Sequence, residues 1–109
     1  MTYQHIELAA GRWFKFNLME QLANVGSEVE RAIIWRERNA DYSKLAFWRA
    51  LELLSLTIDD PKHKTRLKEL TRLYELLVDY FAGDNEYHSS DQLWRNYFYA
   101  YTYAARINR

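Results

Sequence analysis

The chain contains no cysteine. That excludes a disulfide framework, a thiolate nucleophile and a cysteine-ligated zinc site, and it fits a reducing cytoplasm. Glycine occurs three times and proline once in 109 residues. Sheets turn often, and turns draw on Gly, Pro or Asn-Gly pairs, so their scarcity points to a few long helices. Neither sign of charge is in excess: 15 basic and 15 acidic groups cancel. A dedicated DNA binder carries a basic surplus, so any nucleic-acid contact here rests on a local patch. No apolar run approaches the roughly 20 residues of a membrane span. The first residues lack the basic start and apolar core of a secretory signal. The expectation is a cytoplasmic protein without a membrane segment.

What is present is a heavy aromatic load, with four Trp, nine Tyr and five Phe in a composition that is 49% hydrophobic. Disordered chains lack such residues, so this one folds. Its length fits one domain over residues 1–109, with no internal repeat or low-complexity tract. Residues 1–10 read as a lead-in or a short helical turn. A first long helix is expected from about Arg12 to Arg38, with Leu18, Leu22, Val25, Val29 and Ala32 on one stripe. Gly26 either interrupts this helix or, with Ser27, lets another helix approach closely. Asp41 is the expected N-cap of a second helix from about Tyr42 to Ile58.

In that second helix Phe47, Leu51, Leu54 and Ile58 form the stripe. Leu45, Trp48, Leu53 and Leu56 lie off it, so the helix should touch neighbours on more than one side. Asp60 and Pro61 read as cap and first residue of a third helix reaching Ala82. Its stripe is Leu67, Leu70, Tyr74, Leu77 and Phe81. Gly83 reads as a stop able to adopt positive φ. Ser89 with Gln92 reads as a capping box opening a fourth helix, which carries Trp94, Phe98, Tyr101 and Ala105 on one face. Short connections make successive helices antiparallel neighbours. The expected fold is all-α, an antiparallel four-helix bundle; the alternative has five helices, the first broken near Gly26.

Motifs of catalysis are missing. Di-iron bundles need Glu-x-x-His pairs on facing helices, and Asp60-x-x-His63 is the nearest approach. No serine sits in a Gly-x-Ser-x-Gly context, and three glycines cannot build a phosphate loop. No cofactor or metal is therefore assigned. The loop from Asp84 to His88 offers Glu86 and His88 as an acid/base pair, or is a solvated connector.

Three surfaces stand out instead. Arg95, Tyr99, Tyr103 and Arg106 share a sector of the fourth helix; Tyr and Arg are enriched at protein interfaces and also stack on unpaired RNA bases. Trp13, Phe16, Ile34 and Trp35 flank or oppose the first helix's stripe. With Leu45 and Leu56 they give more apolar surface than a lone bundle needs, which points to a symmetric dimer. Lys62, Lys64, Arg66, Lys68 and Arg72 crowd the start of the third helix against its macrodipole, suiting a phosphate or an acidic partner.

Gly26-Ser27-Glu28-Val29-Glu30-Arg31-Ala32, Asp59-Asp60-Pro61 and the segment Asp79-Tyr80-Phe81-Ala82-Gly83-Asp84-Asn85-Glu86-Tyr87 together resemble a family of small prokaryotic all-helical proteins. That resemblance implies a helical fold and brings no activity with it. Catalytic HEPN domains, also helical bundles, carry an Arg, a short spacer and a His; none of His5, His63 or His88 has that Arg. The leading expectation is a non-enzymatic helical module for protein–protein interaction that self-associates. The alternative is an RNA-binding or HEPN-like accessory protein using the basic and aromatic surfaces.

Overall fold

Asn17 starts the first long helix. Its side chain accepts from Glu20 N at 2.9 Å, and Glu20 Oε1 accepts from Asn17 N at 3.1 Å. This reciprocal pair satisfies two of the helix's orphan donors. The computed structural model describes residues 11–107; the lead-in expected over residues 1–10 lies outside them. Residues 11–13 are helical, and a turn closed by Lys15 N to Arg12 O and Phe16 N to Trp13 O leads into the cap. The first helix therefore does not begin at Arg12. It spans Leu18–Trp35 (α1) and runs unbroken through Gly26.

Asn39 caps the second helix, Ala40–Asp59 (α2), by accepting from Asp41 N and Tyr42 N. Asp41, expected as the cap, is instead in the first turn, where its carboxylate faces the positive end of the macrodipole. Asp60 ends α2 and, as expected, accepts from Lys62 N at 3.1 Å. The next segment is not one regular helix. Pro61–Arg66 is a 3-10 turn bent at His63 (φ −104°, ψ 23°), and the α-helix proper is Leu67–Ala82 (α3). The bend carries His63 under the α2–α3 corner, where it is buried.

Gly83 stops α3 in an extended conformation, φ −111°, rather than a left-handed one. Its use is room: a Cβ there would sit 3.0 Å from Asp79 O. The positive-φ positions are Asn85 and His88 in the following loop. Ser90 Oγ accepts from Leu93 N at 3.1 Å, so the cap of the last helix, Asp91–Ile107 (α4), is one residue later than the expected Ser89.

The four helices pack antiparallel, α1 against α2 and α4, and α2 against α3. Ala32 O accepts from Ser43 Oγ at 2.6 Å near one end of the α1–α2 pair, and Gln21 reaches Asp60 at the other. Glu30 with Arg95 and Arg36 with Asp91 set the opposite running of α1 and α4. Gly26 makes this second packing close: a Cβ there would lie 2.6 Å from Phe98 Cβ. The core holds the expected stripe of α1 together with Leu51, Leu54, Leu70, Leu77, Trp94 and Phe98. Leu67, expected on the α3 stripe, is exposed; it is the first residue of α3, and the buried part of the stripe begins a turn later at Leu70. Among the described residues there is no strand.

Candidate interaction surface

Side-chain pairing first decides which residues are free to meet anything. The α1–α2 pair has a polar end. Gln21 lies on the apolar stripe of α1, three residues after Leu18, and is completely buried. Its Nε2 donates to Trp13 O at 3.0 Å and to Asp60 Oδ2 at 2.9 Å. Both amide hydrogens are then used, so Oε1 is an acceptor and the 2.6 Å contact with His63 Nε2 assigns the proton to that ring nitrogen.

Trp13 Nε1 donates to Thr57 Oγ1 at 3.0 Å, and Lys62 Nζ bridges Asp60 Oδ2 and Phe14 O, each at 2.6 Å. Burial raises the Asp60 carboxyl, but hydrogen bonds from Lys62 and Gln21 outweigh it and hold the group below its usual value. Burial pushes the His63 imidazole down, against the upward pull of Asp60. Every partner in this cluster is accounted for inside the chain. It fastens the 13–17 turn to the α2–α3 corner.

This cluster also places Trp13, expected at an oligomer contact. It is a buried structural residue whose ring nitrogen is spoken for. Phe16 stays exposed beside it, edge-on at 5.8 Å. Both are at the opposite end of α1 from Ile34 and Trp35, so the four residues do not form one patch.

The α4 sector is likewise divided. Arg95 Nε contacts both oxygens of Glu30, at 3.0 and 2.9 Å, and so serves the α1–α4 contact. Tyr99 and Tyr103 are brought together, exposed and stacked with centroids 6.4 Å apart, and Arg106 is exposed beyond them. The groove between α1 and α4, about 480 Å³, is lined by Gly26, Glu30, Trp94, Arg95, Phe98 and Tyr99 among others. Trp94 is buried, and its Nε1 has no hydrogen-bond partner among the described residues.

The basic patch is partly consumed as well. Lys62 is bound to Asp60 and Phe14, Arg66 lies 3.6 Å from Glu69, and Arg72 stacks on Tyr87 at 4.9 Å. Lys64 and Lys68 are exposed. In the 84–88 loop the Asp79 carboxylate accepts from Glu86 N and Tyr87 N, while Asn85 and Ser89 exchange two hydrogen bonds. These bonds order the loop through its backbone and use neither the Glu86 nor the His88 side chain. Among the described residues no three His, Cys, Asp or Glu side chains group as a metal would require. No described helix is long and apolar enough to cross a membrane.

The apolar end of the α1–α2 pair differs from all of these. Tyr42, Leu45 and Trp48 are 57%, 60% and 54% exposed, and Trp35 joins them from α1, whereas Ile34 is exposed outside the groove they border. Trp35 and Tyr42 touch, with centroids 5.5 Å apart. A groove of about 530 Å³ runs between the helices here, lined by Glu28, Arg31, Trp35, Tyr42, Leu45, Ala46 and Arg49. Tyr42 and Arg49 were not singled out by the sequence reading. Their signal was there: at 100° per residue both fall within about 60° of Leu45. No protein family, curated protein or solved structure matches this chain.

Proposed function

We propose that this chain is a helical protein–protein interaction module that self-associates through the α1–α2 face around Leu45. The observation that carries the reading is the group Trp35, Tyr42 and Leu45, large apolar side chains left in water around one groove, with Trp48 exposed on the other side of Leu45. Single exposed hydrophobes are ordinary, but a contiguous set around a groove is the mark of an interface. Flanking Arg31, Asp41 and Arg49 supply the polar rim such a surface needs.

An RNA-binding reading draws less support, because Arg95, Lys62, Arg66 and Arg72 already have partners within the chain. Sedimentation across a range of concentrations tests the proposal. The expected result is a dimer at micromolar concentration that Trp48→Glu converts to monomer without loss of helical signal. A chain that stays monomeric at high micromolar concentration rules the reading out.

A further inference from the structure

The exposed face of α2 has an internal symmetry about Leu45. Four residues before it stands Asp41 and four after it Arg49; three before it stands Tyr42 and three after it Trp48. At 100° per residue these lie about 40° and about 60° to either side of Leu45, so all five share one sector roughly 120° wide. All five are exposed. The sector ends where α2 becomes covered: Leu56, which continues the same line, is buried. The face is thus palindromic in bulk and opposite in charge about its own midpoint.

Resting on the self-association reading, we propose that the partner is a second copy whose α2 packs antiparallel on this one, with the two-fold axis passing beside Leu45. An isologous contact requires that a patch be complementary to itself after rotation. Antiparallel pairing about Leu45 brings residue 41 level with residue 49 of the partner and residue 42 level with residue 48. Unlike charges then meet along the seam, Asp41 of each copy being level with the other copy's Arg49. On one side of the seam the Arg49 guanidinium lies against Tyr42 of the partner, an arrangement that cation–π attraction favours. On the other side Trp48 covers the first turn of the partner helix. Leu45 meets its own symmetry mate in the middle. A partner of different sequence would not call for this mirrored pattern, whereas a second copy does. Parallel pairing would instead set Asp41 against Asp41 and Arg49 against Arg49.

The absence of cysteine makes the register directly measurable, since any introduced thiol is unique in the chain. Leu45→Cys should form a disulfide-linked dimer rapidly on mild oxidation, because only a residue at the axis lies close to itself. Asn96→Cys, exposed on α4 away from this face, should not. In the cysteine-free protein, Asp41→Arg and Arg49→Asp should each weaken the dimer roughly tenfold, since the two-fold makes every contact twice. The double variant should restore it, and thermal melts of each would separate association from helix stability. A dimer by sedimentation in which Leu45→Cys fails to cross-link and the double variant fails to recover overturns the register while leaving self-association standing. A monomer by sedimentation overturns both.

Discussion

At one end of the α1–α2 pair polar groups lie inside; at the other, apolar groups lie outside. Gln21, Thr57, Asp60 and His63 are all less than a tenth exposed, and each has hydrogen-bond partners within the chain. Tyr42, Leu45 and Trp48 are more than half exposed. The two departures from ordinary partition have opposite meanings. A buried polar group whose bonds are all made costs little and fixes geometry, so the Gln21 cluster is a fastener. Exposed apolar area is lost stabilisation until something covers it, so the Leu45 face looks outward.

The sharpest contrast lies within α2 itself. Leu54 is fully buried and Leu45 is 60% exposed. Leu54→Ala should cost about 2–5 kcal/mol by removing core volume. Leu45→Ala, measured at dilution where the chain is monomeric, should change stability by no more than about 0.5 kcal/mol. Urea denaturation of both variants checks the pair; equal losses would mean that the Leu45 face belongs to the core.

Breaking the fastener comes next in size. Gln21→Leu fills the space but strands His63 Nε2 and Trp13 O, and should cost about 3 kcal/mol at roughly 1–3 kcal/mol per orphaned group. The same variant should raise amide exchange in the 13–17 turn more than in α4. Gly26→Ala should cost about 1–3 kcal/mol, because the added methyl meets the root of the Phe98 side chain, and that overlap exceeds the roughly 1 kcal/mol helix-propensity gain. Its effect should appear at the α1–α4 contact, in the near-ultraviolet signal of Trp94, and leave the proposed dimerisation through α2 intact.

The smallest expected effect is on pH. The folded state holds the His63 value below that of the unfolded chain, whose histidine titrates near 6.5. Stability from this source is therefore present above about pH 6.5 and is lost as pH falls through the folded value. Asp60, also lowered, adds a loss of the same sign in a more acidic window, below about pH 3.9. The melting temperature should fall modestly between pH 7 and 5, and His63→Gln, which can still donate to Gln21, should flatten that segment.

The helical class and the phase of three stripes were legible because they depend on near neighbours. Leu22, Val25 and Val29 could be placed inward from spacing alone, and their burial follows from it. Cap positions were legible in kind but not always in place. Asn17-x-x-Glu20 and Ser90 carry ordinary capping chemistry, yet Arg12–Trp13 and Ser89 offered competing starts a few residues away. The 3-10 turn at Pro61–Arg66 had no local sign beyond its proline, and the contact made at its bend, His63 with Gln21, joins residues 42 apart in sequence.

Sequence alone determined that this chain makes amphipathic helices, since hydrogen bonding and side-chain spacing within a helix involve residues three and four apart. It also determined that aromatic area would exceed what a bundle of this length needs. Only the tertiary structure decided which aromatics stay outside. Trp13 goes in because Thr57 waits across the α1–α2 end with an acceptor, and Trp48 stays out because no element of the described chain packs over that side of α2. Burial is a property of what faces a side chain, and what faces it comes from far along the sequence.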